Sequence, residues 1–146
     1  TLELSDGPVD GFEIAAAGLR SEVVVLAACD AGQLAISGRG LAEQPGDELF
    51  GLPAAFLESG CGSVLAPVWP ADDNATAALI TCFHRHLAAG APADLALARA
   101  QREYLAAAGP LQRRAYYWAP LQLLTVGRPA SAGPAAAPET EETCHA

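Results

Sequence analysis

The feature that most constrains this chain is the unbroken apolar run from Val23 to Ala28, which is followed at once by Cys29. A short run that is apolar on both faces predicts a strand buried between helices in a parallel sheet. In such sheets ligands and chemistry lie just beyond the carboxyl ends of the strands. Cys29 occupies that position and is a candidate nucleophile. The alternative is a small, buried and inert cysteine at the end of a strand.

Apolar runs and turn residues divide the remaining chain into alternating strands and helices. The order β-turn-α-β-loop-α-β-α-α-β predicts an α/β fold, with a parallel sheet covered by helices on both faces. The loop at 30–46 is long for a compact domain, and such loops are usually functional or mobile. The expected strands are 2–4, 23–28, 63–69 and 121–126, and the expected helices begin near residues 10, 47, 73 and 93.

Two helices in the second half of the chain carry clear end signals. Asp72, Asp73 and Asn74 form an N-cap cluster and Gly90 is a matching stop. We interpret the two aspartates as helix caps. The expected core-facing stripes are Leu79, Phe83 and Leu87 on the first helix, and Leu95, Ala98 and Leu105 on the second.

Composition excludes several classes of function. The net charge is −9, which argues against nucleic-acid binding, because binding to phosphates requires clustered basic residues. No apolar stretch reaches the 18 residues of a membrane span. The four cysteines (Cys29, Cys61, Cys82 and Cys144) are not closely spaced, so we expect a cytoplasmic protein with reduced thiols. Residues 128–146 are expected to form a disordered Ala/Pro/Glu-rich tail.

Neither a metal nor a cofactor is expected. Cys82, His84 and His86 lie near one another on a helix, but their only partners for zinc would be Cys144 and His145 in the tail. Gly38-Arg39-Gly40 lacks the further glycine and the lysine of phosphate-binding loops, so a nucleotide-binding domain has little support.

Four blocks together resemble the CHAT domain, a family of caspase-like cysteine peptidases related to separases and often attached to TPR repeats. The blocks are VVVLAACDAG at 23–32, GDELFGLPAAFL at 46–57, SVLAPVWPADD at 63–73 and YYWAP at 116–120. They occur in the order and spacing of the family, from about Leu2 to Val126. The resemblance implies a caspase-like three-layer α/β/α sandwich with a mostly parallel sheet, incomplete at its N-terminal side. Residues 1–127 would be the carboxy-terminal part of this domain.

The resemblance also implies site residues. The catalytic cysteine of the family falls on Cys29, whose backbone N–H would form half of an oxyanion hole. The catalytic histidine belongs to an upstream His-Gly motif that this chain lacks, so we expect the chain alone to be inactive. Trp69 and Asp30 are the candidate substrate-binding residues. Pro70 stands where separases have the aspartate that binds a basic P1 side chain, which leaves the specificity open.

Three further expectations follow from the resemblance. The partners would be a protein or peptide substrate and an upstream TPR or sensor region. Without the histidine strand, Val23–Ala28 becomes a sheet edge that is prone to pair with another chain. The competing hypothesis is a non-catalytic CHAT-like interaction module in which Cys29 is simply buried.

Overall fold

The computed structural model describes residues 2–27 and 51–127. The predicted long loop, Cys29 and Asp30, and the predicted tail at 128–146 lie outside the described residues. The described part is a mixed α/β structure with five helices and five strands. In chain order the elements are β1 (Leu2–Leu4), β2 (Gly7–Val9), α1 (Gly11–Ala16), β3 (Val23–Val25), α2 (Leu52–Glu58), β4 (Ser63–Pro67), α3 (Asp73–Ala88), α4 (Ala93–Ala107), α5 (Ala115–Trp118) and β5 (Leu121–Thr125).

A small hairpin opens the described chain. Strands β1 and β2 pair antiparallel, with Leu4 opposite Gly7 across a two-residue turn. Gly7 has φ of 135°, a conformation that only glycine adopts readily. Helix α1 then starts at a capping box, in which Asp10 and Glu13 each accept a hydrogen bond from the other's backbone N–H. The predicted turn and the helix start near residue 10 are therefore confirmed, whereas strand β2 was not expected.

The main described sheet has the strand order β3-β4-β5. β3 pairs parallel with β4, whereas β5 pairs antiparallel with β4. The expectation of a mostly parallel sheet thus holds for only one of the two described pairings. Pro67 is the last residue of β4, as its missing N–H requires.

β3 differs from its prediction in length and in burial. Regular pairing covers Val23–Val25, and all three valines are half-buried rather than buried. The reason is position, because β3 lies at one edge of the described sheet while β4 is central.

Helices cover both faces of this sheet. Alternate residues of β4 point to opposite faces, so Leu65 joins a core with α3 and α4, whereas Val64 and Ala66 join a core with α1 and α2. Helix α2 carries Pro53 in its first turn, where the missing donor costs nothing. The predicted helix start near residue 47 lies outside the described residues.

Helix α3 matches its prediction closely. The Asp72 side chain accepts a 2.9 Å hydrogen bond from the backbone N–H of Ala75, and Gly90 follows the helix with φ of 86°. Leu79 and Phe83 are fully buried. Leu87, the third residue of the predicted stripe, is half-buried.

The predicted face of α4 is wrong. Its buried residues are Ala96, Leu97, Ala100 and Tyr104, whereas Leu95 is 45% exposed. Small residues such as Ala96 and Ala100 have no long side chain to separate the two helix backbones. They therefore let α4 pack closely against α3, and this packing overrides the stripe of larger side chains.

Within 2–27 and 51–127 no helix combines the length and the apolar character needed to cross a bilayer.

Candidate functional site

The carboxyl ends of β3 and β4 lie at the same edge of the sheet. Val25 is opposite Leu65 in the parallel register, and the backbone N–H of Leu26 donates a 2.9 Å hydrogen bond to the carbonyl oxygen of Leu65. Ala27 follows at this edge, two residues before Cys29 in the chain. Helix α3 begins at the same edge, shortly after β4 ends. Parallel strands of α/β sheets present their sites here.

An open groove of about 370 Å³ lies at this edge, lined by Ala27, Asp73, Thr76, Ala77, Ile80 and Thr81. The volume falls at the small end of the range for ligand pockets, about 300–1,000 Å³. Five of the six residues belong to α3 at positions i, i+3, i+4, i+7 and i+8, which share one face of a helix. The core-facing residues of α3, among them Leu79 and Phe83, lie on another face.

Two neighbouring aspartates at the start of α3 have different roles. Asp72 caps the helix through its side chain, whereas Asp73 is exposed and lines the groove. Asp73 is the one carboxylate among the six residues that line the groove. The hydroxyl of Thr81 donates its hydrogen to the carbonyl oxygen of Ala77 at 2.7 Å. The sequence interpretation assigned both aspartates to capping and missed the second role. The i, i+3/i+4, i+7 spacing of the groove residues could have indicated it.

The predicted site residues fall partly within the described chain. Trp69 is half-buried and lies two residues beyond the end of β4, at the same edge as the groove. Cys29 and Asp30 lie outside the described residues.

Two other cysteines are described. Cys61 is a free thiol that is 1% exposed, and its sulfur lies 3.8 Å from the carbonyl oxygen of Leu19. This environment is that of a buried structural cysteine. Cys82 is disulfide-bonded, contrary to the expectation that the thiols are reduced.

The described histidines lie towards the other end of α3. His86 Nε2 is 2.7 Å from Glu103 Oε1 on α4, and Arg85 forms an ion pair with the same carboxylate. His84 is exposed, and its ring packs edge-on against Phe83 at a centroid distance of 5.7 Å. At a rise of about 1.5 Å per residue, His86 lies about 20 Å along the helix axis from Asp73.

Cys82, His84 and His86 of α3 have side chains of types that can bind zinc. Over residues 2–27 and 51–127 no three His, Cys, Asp or Glu side chains are grouped so as to hold a metal ion. His86 is engaged with Glu103, and Cys82 is engaged in a disulfide. Cys144 and His145, their hypothetical partners, lie outside the described residues.

Tyr104 is a buried tyrosine of α4. It is 3% exposed. Burial raises the pKa of its hydroxyl above the ordinary value of 10.0, and the negative charge of Asp72 and the neighbouring Tyr117 raise it further. The hydroxyl is therefore neutral at physiological pH.

The fold and the groove define an α/β domain with a candidate site at the carboxyl edge of its sheet. The family model of the CHAT domain matches residues 2–127, and the chain belongs to this family, which is related to the caspase-like peptidases. A search of curated proteins finds no match, and a search of solved structures finds none either.

Proposed function

We propose that this chain is the nucleophile-bearing part of a CHAT-domain cysteine endopeptidase, with Cys29 as the nucleophile. The single observation that carries the proposal is the parallel register of β3 on β4. It brings the segment leading to Cys29 to the edge where the groove and Trp69 lie. In the complete domain the sheet and its helices would form the caspase-like three-layer sandwich over residues 1–127.

The register supports a specific place for Trp69. Val23, Val24 and Val25 pair with Ser63, Val64 and Leu65, a constant offset of 40 residues. We propose that Cys29 lies close to Trp69, because the same offset of 40 residues separates the two in the sequence. An indole beside the nucleophile would form an apolar wall for the substrate. Asp30, the next residue, would then lie at the mouth of the same site.

The proposed reaction is peptide-bond hydrolysis through an acyl-enzyme. The Cys29 thiol gives its proton to an imidazole, and the thiolate attacks the peptide carbonyl carbon. The C–N bond then breaks as the imidazolium protonates the leaving amine. Water adds to the thioester, returns a proton through the imidazole and releases the carboxylic acid, which restores the thiol. The backbone N–H of Cys29 would stabilise the oxyanion.

The imidazole must come from a segment with a His-Gly motif. A free cysteine with a pKa near 8.5 is only a few per cent thiolate at neutral pH, and a neighbouring Asp30 carboxylate would disfavour the thiolate further. His86 is held by Glu103, and His84 projects from the same end of α3. The 146-residue chain is therefore proposed to be inactive by itself.

The decisive experiment is a cleavage assay with and without the histidine-bearing segment. The chain is mixed with that segment under reducing conditions, and denatured casein or a peptide library is the substrate. We expect cleavage only from the mixture, abolished by Cys29→Ala and retained by Cys61→Ala, the buried-thiol control. Robust cleavage by the isolated chain, or by Cys29→Ala in the mixture, would overturn the proposal.

One observation favours a second candidate, the non-catalytic interaction module. Both described histidines lie away from the groove, so no imidazole of the described chain can activate a thiol there. In this alternative the groove binds a partner peptide without cleaving it. Binding of casein-derived peptides by the mixture without any cleavage would favour it.

Other parts of the proposal concern the cellular setting. The upstream TPR or sensor region would be the regulatory partner, and the cytoplasm would be the site of action. A protein or peptide would be the substrate. No metal or cofactor takes part in the proposed reaction.

A further inference from the structure

We propose that the acidic segment 138–142 of this same chain binds a basic surface formed by Arg102, Arg113 and Arg114. The surface covers the second half of α4 and the turn that follows it. The observation behind the inference is that these three arginines are exposed and form no ion pair with a carboxylate of the described residues. The inference does not depend on the proposed peptidase activity.

The charge of this part of the chain is opposite to that of the whole. Residues 99–114 contain four arginines and one glutamate, a net charge of +3, in a chain whose net charge is −9. The glutamate, Glu103, already pairs with Arg85 and His86 of α3. It therefore does not neutralise the exposed arginines.

Hydrogen bonds to the backbone hold two of these side chains and leave their outer nitrogens open. Arg102 donates through Nε to the carbonyl oxygen of Ala98, and Arg113 donates through Nε to that of Ala108 at the end of α4, both at 3.1 Å. A guanidinium group carries five N–H donors, so four remain on the two outer nitrogens of each. These donors match the two oxygens of a carboxylate.

Apolar side chains next to these arginines in the chain are also uncovered. Leu111 and Tyr116 are each 50% exposed. The chain that follows β5 offers both kinds of partner, because residues 129–138 are rich in alanine and proline and residues 139–142 contain three glutamates. In the proposed contact the carboxylates pair with the arginines, and the Ala/Pro stretch lies against Leu111 and Tyr116.

The length of the chain permits this contact. β5 runs from Leu121, just after α5, to Thr125, which is about 14 Å at about 3.4 Å per residue. Residues 128–139 span up to about 40 Å when extended, so they can return along β5 to the arginines. A tethered segment has an effective concentration in the millimolar range, so weak ion pairs are sufficient.

Arginine footprinting of the full chain tests the inference. Phenylglyoxal modifies exposed guanidinium groups, and mass spectrometry gives the rate at each arginine. The unmodified chain is compared with a triple variant that carries Glu139→Gln, Glu141→Gln and Glu142→Gln. Exposed ion pairs are weak, so we expect the arginines of the basic surface to react about threefold faster in the variant. Salt at about 0.5 M should remove the difference by screening.

Arg20 is the matched control. It is also exposed and forms no ion pair with a described carboxylate, but it has Glu22 two residues later and lies in no basic stretch. Its rate should be the same in both chains. An equal increase at Arg20 would mean a general charge effect and would overturn the inference, as would unchanged rates at the basic surface.

A peptide added in trans distinguishes this segment from other anions. A synthetic peptide of residues 134–143, at about 5 mM to match the tethered concentration, should restore protection in the triple variant. The same peptide with its glutamates replaced by glutamine should not. Protection by a DNA oligonucleotide but not by the acidic peptide would assign the surface to nucleic acid and overturn the inference.

Discussion

The backbone N–H of Leu26 donates a 2.9 Å hydrogen bond to the carbonyl oxygen of Leu65, in line with the parallel register of β3 on β4. This bond holds the end of β3 beside the central strand. The chain that leads to Cys29 therefore leaves the sheet at the edge where Trp69 and the groove are found. The functional proposal depends on this placement.

The close approach at the other end of the two strands can be tested at Gly62. Its backbone N–H donates to the carbonyl of Ser21 at 2.9 Å, and a Cβ on residue 62 would lie only 2.9 Å from the carbonyl oxygen of Glu22. Gly62→Ala should therefore lower the free energy of unfolding by about 1–3 kcal/mol, since backbone must shift. Urea unfolding measures this. Gly127→Ala, which meets no atom within 4 Å, should change little; equal stability of the two variants would refute the close approach.

The cap of α3 predicts a distinct effect for Asp72. Asp72→Ala removes the side-chain acceptor of the Ala75 N–H and should destabilise the protein by about 1 kcal/mol. Asp72→Ser keeps an acceptor and should recover most of the loss. Thermal unfolding of both variants checks this, and identical midpoints would argue against the cap.

The orientation of α4 predicts opposite outcomes for two leucines. Leu97 is 8% exposed and Leu95 is 45% exposed. Leu97→Ala should cost about 2–5 kcal/mol because it removes buried apolar volume. Leu95→Ala, away from the core, should change the free energy of unfolding by about 0.5 kcal/mol or less. A larger loss at Leu95 than at Leu97 would restore the face expected from the sequence.

Tyr104 predicts a loss of stability in alkali. Burial, Asp72 and Tyr117 raise its pKa in the folded state above 10.0, so above about pH 10 the unfolded chain releases the proton first. The contribution of Tyr104 to the free energy of unfolding is fully present below about pH 10, and it is lost as the pH rises through the folded-state pKa. Tyr104→Phe should flatten the decline in unfolding midpoint over this alkaline range. Tyr116→Phe is the control, since this side chain is 50% exposed, and it should leave the decline unchanged. Equal pH profiles for Tyr104→Phe and the unmodified chain would show that the buried hydroxyl does not cause the decline.

Local chemistry made much of the fold predictable. The Asp72 cap, the stop at Gly90 and the capping box at the start of α1 depend on neighbouring residues, and the sequence indicates all three helix ends. The parallel pairing of β3 with β4 also agrees with its expectation. These features need no knowledge of distant contacts.

The features that were missed depend on packing and on chain direction. The buried face of α4 is decided by how closely Ala96 and Ala100 let it approach α3. β5 runs antiparallel because α3 and α4 together return the chain to the edge that α3 left, so Leu121 pairs with Pro67. The predicted order α-α-β already contained this information. One helix between two strands favours a parallel pair, whereas two helices bring the chain back to the edge it left and favour an antiparallel pair.

The site was predictable only in part. Trp69 was expected to end its strand and instead lies two residues beyond the last residue of β4, whereas the roles of Cys29, Asp30 and Trp69 remain predictions. Asp73 was missed because an aspartate beside an N-cap is explained well by capping alone. Its exposure to the groove follows from the face of α3 that the core leaves free.

The most direct measurement for the central claim is the alkylation of Cys29 as a function of pH. A protein that contains the His-Gly segment is treated with iodoacetamide under reducing conditions, and each cysteine is quantified by mass spectrometry. Cys29 should react selectively near neutral pH, while Cys61, 1% exposed, should react only after unfolding. Protection of Cys29 in the native protein, at a level like that of Cys61, would contradict its assignment as the nucleophile.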